Sequence, residues 1–189
     1  DIRVSSLSRY PEVLTMEEQS ADEDELWSDL SQAIREACTQ FVATRTTEGE
    51  HLKQDLVEKL HHMRDNVDKV EQRAPQIIAE YRSKLMEKVN ELLGDTQIDE
   101  ARLSTEIVLF ADKICTDEET VRLKSHITSM LNALERSEGI GRKLDFIAQE
   151  MNREANTILS KSNDLETSDI AIELKTEIEK VREQIQNIE

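Results

Sequence analysis

Of 189 residues only 37% are hydrophobic and 3% aromatic, with four Gly and two Pro, which argues against a dense compact globule and leaves few places for tight turns. Glu, Lys, Leu, Ile, Ala, Gln and Arg dominate instead, the composition of long helices, so the expected class is all-α. A formal charge of −17 excludes coating of nucleic acid by bulk attraction, because such binding relies on Lys and Arg releasing counterions; any RNA contact must be local.

Alternating apolar residues and a Pro between Ile2 and Met16 predict an extended or irregular segment, so residues 1–21 read as a linker or the remnant of a preceding strand-rich domain. With no initiating Met, the chain is expected to be truncated. From about Asp22 the period changes. Leu26, Leu30, Ile34, Ala37 and Phe41 recur at three or four residues, and Leu52, Leu56, Leu60, Met63, Val67 and Val70 resume the pattern. Gly49 costs a helix only about 1 kcal/mol relative to Ala, so one long helix over 22–74 is expected, with Pro75 as the firmer boundary. At about 50 residues such a helix is roughly 75 Å long, beyond the diameter of a globule of this mass, so part of its apolar stripe needs another chain. Oligomerisation is the expectation.

Residues 75–189 read as a C-terminal helical domain of antiparallel hairpins or a bundle. Ile77, Ile78, Tyr81, Leu85, Val89, Leu92 and Leu93 mark an amphipathic helix that Gly94 and Asp95 stop. Leu103, Ile107, Val108, Phe110 and Ala111 mark the next. Thr116 and Glu119 predict a capping box for a third helix, whose buried face is Leu123, Ile127, Met130, Leu131 and Leu134. From Ile140, the residues Leu144, Ile147, Ala148, Met151, Ala155 and Ile158 fall on one stripe. Ile170, Leu174, Ile178, Val181, Ile185 and Ile188 then form a coiled-coil-like seam, read as an assembly surface.

Cys38 and Cys115 are far apart without a CxxC pattern, which suggests neither a disulfide framework nor a zinc knuckle and fits a reducing cytoplasm. No apolar run approaches the ~20 residues that span a bilayer, and no signal-like segment opens the chain. The charge is uneven. Pro11 to Asp29 holds eight carboxylates and no Lys or Arg, whereas Gly139 to Lys161 has four basic residues against three acids.

The block GRKLDFIAQEMNREANTILSKSND (Gly141 to Asp164) resembles the most recognisable stretch of the YicC/YloC family. EIEKVREQIQNIE at the C-terminus, EETVRLKSH from Glu118 to His126, and R-x-x-E-G from Arg45 to Gly49 also resemble family patterns, in the expected order. The resemblance implies a bacterial, metal-dependent endoribonuclease that assembles as a ring-like homo-oligomer such as a hexamer. Cys115, where an Asp is usual, and Leu159, where a small residue is usual, depart from the family pattern. So does the absence of most of the family's N-terminal domain, so the chain is expected to be folded and inactive.

RNA cleavage needs an aligned nucleophile, charge stabilisation on the phosphate and protonation of the leaving oxygen. Mg²⁺ or Mn²⁺ serves the first two, taking one or two carboxylates plus water and substrate phosphate. Glu150 and Glu154, one helical turn apart, are the expected ligands, with Glu118 as a further one; ordinary pairing with Lys143 or Arg153 is the plainer reading. Glu119, Arg122 and His126 are spaced i, i+3, i+7 on one helix face. They form the expected catalytic set: the imidazole as general acid or base, the guanidinium on the phosphate, the carboxylate orienting the ring or a metal. Arg142, Lys143, Arg153 and Lys161 are expected at RNA phosphates, against the alternative of salt bridges. Asp145, Gln149, Asn152 and Asn156 form an amide-bearing stripe for a partner helix or RNA, with Asn152 and Asn156 assigned to RNA. His51, His61 and His62 are read as solvated. No Ser/His/Asp arrangement or glycine-rich nucleotide loop is present. A non-enzymatic helical scaffold is the competing function.

Overall fold

The computed structural model describes residues 3–13, 22–93, 99–136, 141–186 and 188, and all regular structure among them is helical. Six helices follow in order: α1 (Val4–Leu7), α2 (Glu23–Leu93), α3 (Glu100–Ile114), α4 (Asp117–Leu134), α5 (Gly141–Lys161) and α6 (Leu165–Ile185). The stop predicted at Gly94 and Asp95, and the start at Ile140, lie outside the described residues. No helix among them is long and apolar enough to cross a membrane.

Two local expectations are corrected. The segment expected to be extended contains α1, because the amides of Ser6 and Leu7 find a local acceptor in the Arg3 carbonyl (2.9 and 3.2 Å). Pro75 does not end a helix either: α2 runs through it for 71 residues. A proline inside a helix removes one backbone bond and crowds the preceding turn, at a cost of about 3 kcal/mol. Side chains span that break. Arg73 donates bidentately to Glu80 (2.6 and 3.1 Å), and Tyr81 stacks on Phe110 of α3 with ring centroids 3.7 Å apart. The Arg73 guanidinium holds the Glu80 carboxyl below the usual carboxylate range.

The chain divides into two compact units, residues 1–47 and 48–189. In the first, the predicted stripe of α2 is uncovered: Leu26, Leu30, Ile34 and Phe41 are 60, 50, 48 and 67% exposed, and Trp27 and Val42 join them.

In the second unit, one core collects the stripes of four helices. Leu56, Leu60, Met63, Val67 and Val70 of α2 pack with Leu123, Ile127 and Met130 of α4, with Leu144, Met151 and Ile158 of α5, and with Leu174, Ile178 and Val181 of α6. Cross-helix bonds fix the register. Lys161 with Glu119 and Arg122 with Glu154 set α4 antiparallel to α5. Asn152 with Glu179 and Asp145 with Arg182 do the same for α5 and α6. From α2, Arg64 reaches Thr128 and Lys53 reaches Glu135 on the α4 side, while Gln184 of α6 bonds Asp55. Lys59 and Gln184 together hold the Asp55 carboxyl below its ordinary range.

Helix ends follow side-chain chemistry. The Asp99 carboxylate accepts from the amides of Ala101 and Arg102 at the start of α3. Thr116 does sit at the N-cap of α4, but its side chain makes no cap bond; the capping box fails because the Glu119 carboxylate is drawn across to Lys161 instead. Leu159 is helical within α5, so the departure from a small residue brings no left-handed backbone strain; only Glu12 among the described non-Gly residues has positive φ (73°). At the other end of α5, a Cβ on Gly141 would stand 2.8 Å from the Ile188 carbonyl oxygen. Glycine is what lets these backbones meet.

Candidate active site

The α4/α5 register brings together two groups of residues that the sequence keeps apart. Residues 119 and 161 are bonded, as are 122 and 154, so successive turns of the antiparallel pair place His126 level with Glu150. Two residues of the set expected on α4, Glu119 and Arg122, and one of the carboxylates expected on α5, Glu154, therefore lie with Lys161 along one seam. Its floor is apolar, formed by Leu123, Ile127, Met151, Ala155 and Ile158.

Along this seam the charges alternate. Lys161 donates to Glu119 Oε1 at 2.9 Å. Glu119 is buried, and its other oxygen, Oε2, has no hydrogen-bond partner among the described residues. A buried carboxylate oxygen normally has one, so Oε2 is an acceptor in want of a donor such as water or a substrate hydroxyl. Arg122 bonds Glu118 on its own helix and stands 3.8 Å from Glu154, whose side chain is only 7% exposed. The guanidinium itself is half exposed, so it can turn to an incoming phosphate while still balancing Glu154. His126 is half-buried, and neither ring nitrogen is engaged with another described residue. That leaves the imidazole open to exchange a proton.

Glu118, Glu150 and Glu154 do not close a three-donor cage: among the described residues no group of three His, Cys, Asp or Glu could hold an ion. Glu118 is turned to Arg122 on its own helix. Glu150 and Glu154 lie one helical turn apart on α5, and the sparser kind of Mg²⁺ or Mn²⁺ site takes only one or two carboxylates, with water and substrate phosphate in the remaining positions. Cys115 caps the end of α3 and is exposed.

The residues expected at RNA are distributed over three places. Arg142, Lys143, Arg153 and Asn156 are exposed along α5. Lys161 sits in the seam on Glu119. Asn152 turns to α6, where its amide donates to Glu179 at 2.9 Å. Asp145 likewise pairs with Arg182 of α6.

Sequence reasoning missed two clusters outside the seam. His62, read as solvated, stands 2.9 Å from Glu177 of α6. Arg73 meets Asp164 and Glu166 as well as Glu80. Partners 91 and 115 residues away in sequence leave no signal in local spacing.

Residues 70–189 match the family Endoribonuclease YicC-like, C-terminal, and residues 1–54 match Endoribonuclease YicC-like, N-terminal region. The chain is 42% identical over 190 aligned positions to a protein of Clostridioides difficile named "Probable endoribonuclease YicC", covering all of this chain and 65% of that protein. It is 36% identical to a Haemophilus influenzae protein of the same name, covering 64% of that one. The chain thus spans just under two thirds of the length of these curated relatives.

Proposed function

Because the chain belongs to the YicC-like endoribonuclease family, we propose that it cleaves RNA phosphodiester bonds internally, and that the α4/α5 seam is where it does so. The single observation that supports the reading is the pairing of Glu119 with Lys161 and of Arg122 with Glu154 across one seam; from the helix register that these pairs imply, His126 and Glu150 are assigned to the same seam. The unpartnered Glu119 oxygen stands within it.

Arg122 binds the scissile phosphate and stabilises the charge that builds on its oxygens. His126 passes a proton to or from the reacting oxygens. Glu119, anchored by Lys161, presents Oε2 to a hydroxyl or water and orients it. Glu150 and Glu154 would hold a divalent ion, which would supply further charge neutralisation and lower the pKa of a water. The enzyme acts in the cytoplasm as a ring-like homo-oligomer. The uncovered apolar stripe of residues 26–41 supports such assembly, since contiguous apolar surface of this kind marks contact sites.

End-labelled RNA incubated with the protein plus Mn²⁺ or Mg²⁺ should yield internal fragments, and EDTA should abolish them. Unchanged cleavage in chelator removes the metal from the proposal. Cyclic phosphate ends, with DNA left intact, would assign the attack to the ribose 2′-hydroxyl instead of water. The competing scaffold function predicts an oligomer that neither binds nor cuts RNA.

A further inference from the structure

Phe146 lies on the outer face of α5, 63% exposed. Its neighbours on that face, at i−4, i−3, i+3 and i+4, are Arg142, Lys143, Gln149 and Glu150, all polar. Arg153, one further turn along at i+7, is exposed too. Arg142, Lys143 and Arg153 have no ion-pair partner among the described residues. Of the nearby carboxylates, Asp145 is neutralised by Arg182, and Glu150 stands on the seam flank. In a chain of net charge −17, a large exposed aromatic ring beside three cations that have no ion-pair partner among the described residues is a combination that packing does not explain.

We infer that Phe146 is a stacking platform for an unpaired base of RNA, with Arg142, Lys143 and Arg153 holding the phosphates on either side of it. The inference rests on the nuclease reading above and adds its substrate class: single-stranded segments. Every base has a flat face to lay on an aromatic ring, but a base in a duplex has already spent that face on its neighbours. Cations flanking the ring then track the backbone of the same strand. A second copy of the chain is the poorer occupant. One ring with polar neighbours at every adjacent position is far short of the roughly 800 Å² per partner of a stable interface, unlike the stripe of residues 26–41. The platform borders the seam through Glu150, so a strand stacked on Phe146 runs toward Arg122 and His126.

The test measures binding of the intact protein, in EDTA, to a short fluorescein-labelled unpaired RNA and to a blunt RNA duplex, at one stated salt concentration. Phe146→Ala should weaken single-strand binding by about tenfold or more, leave duplex binding within about twofold, and Phe146→Trp should restore it. Equal loss on both RNAs, no loss on either, or failure of Trp to restore binding overturns the platform. A fall in solution mass on Phe146→Ala does so as well, because it makes the ring a subunit contact. If the unsubstituted protein cuts RNA yet Phe146→Ala binds normally, only the platform fails. If the unsubstituted protein neither binds nor cuts RNA, the nuclease reading fails first.

Discussion

Alanine in place of His126 should lower RNA cleavage by about a hundredfold or more, the range that a positioned general acid or base contributes. The loss should be chemical and not structural. The ring makes no hydrogen bond or ion pair with a described residue and is only half-buried, so its removal leaves no buried group unpaired. Initial rates on labelled RNA, compared with thermal melts of the same preparations, separate the two effects. An unchanged rate would take His126 out of the mechanism. A slowed rate accompanied by an equal loss of folded protein would mark it as a packing residue.

Met151→Ala should do the reverse. Met151 is fully buried in α5 and lies between Ala148 and Ala155 on the same helix face. Neither alanine has a side chain long enough to fill the space, so most of the cavity persists. Such substitutions cost about 2–5 kcal/mol, which for a chain of this size is a melting midpoint lower by roughly 5–15 °C. Well below that midpoint the rate on RNA should stay close to that of the unsubstituted protein, because the methionine forms the floor under the seam and carries none of its polar groups. A melt within a degree of the original would mean that neighbouring side chains collapse into the void.

Helices were legible wherever burial follows a period. The face from Leu56 to Val70 and the stripe from Leu144 to Ile158 are buried where their spacing places them; the seam from Leu174 to Ile185, read as an assembly surface, is buried instead in the chain's own core. The passage of α2 through Pro75 was not legible, because the compensation comes from Arg73 reaching Glu80 across the break and from a ring on another helix. The same limit applies to the site. Spacing put Glu119, Arg122 and His126 on one face, and Glu150 and Glu154 on another. That these faces meet depends on the antiparallel register of α4 and α5, which bonds between residues 32 and 42 positions apart define. Phe146 stands off the stripe from Leu144 to Ile158, so periodicity gave it no role, and its exposure is seen only in the structure.

The central claim is that residues of the α4/α5 seam open an RNA strand away from its ends. A covalently closed circular RNA has no ends, so only internal cleavage can convert it to a linear product. The intact protein should linearise it, and Arg122→Ala, which removes the guanidinium proposed to hold the phosphate, should leave the circle closed over the same time. A circle that survives the unsubstituted protein, or that Arg122→Ala opens equally fast, would contradict the account.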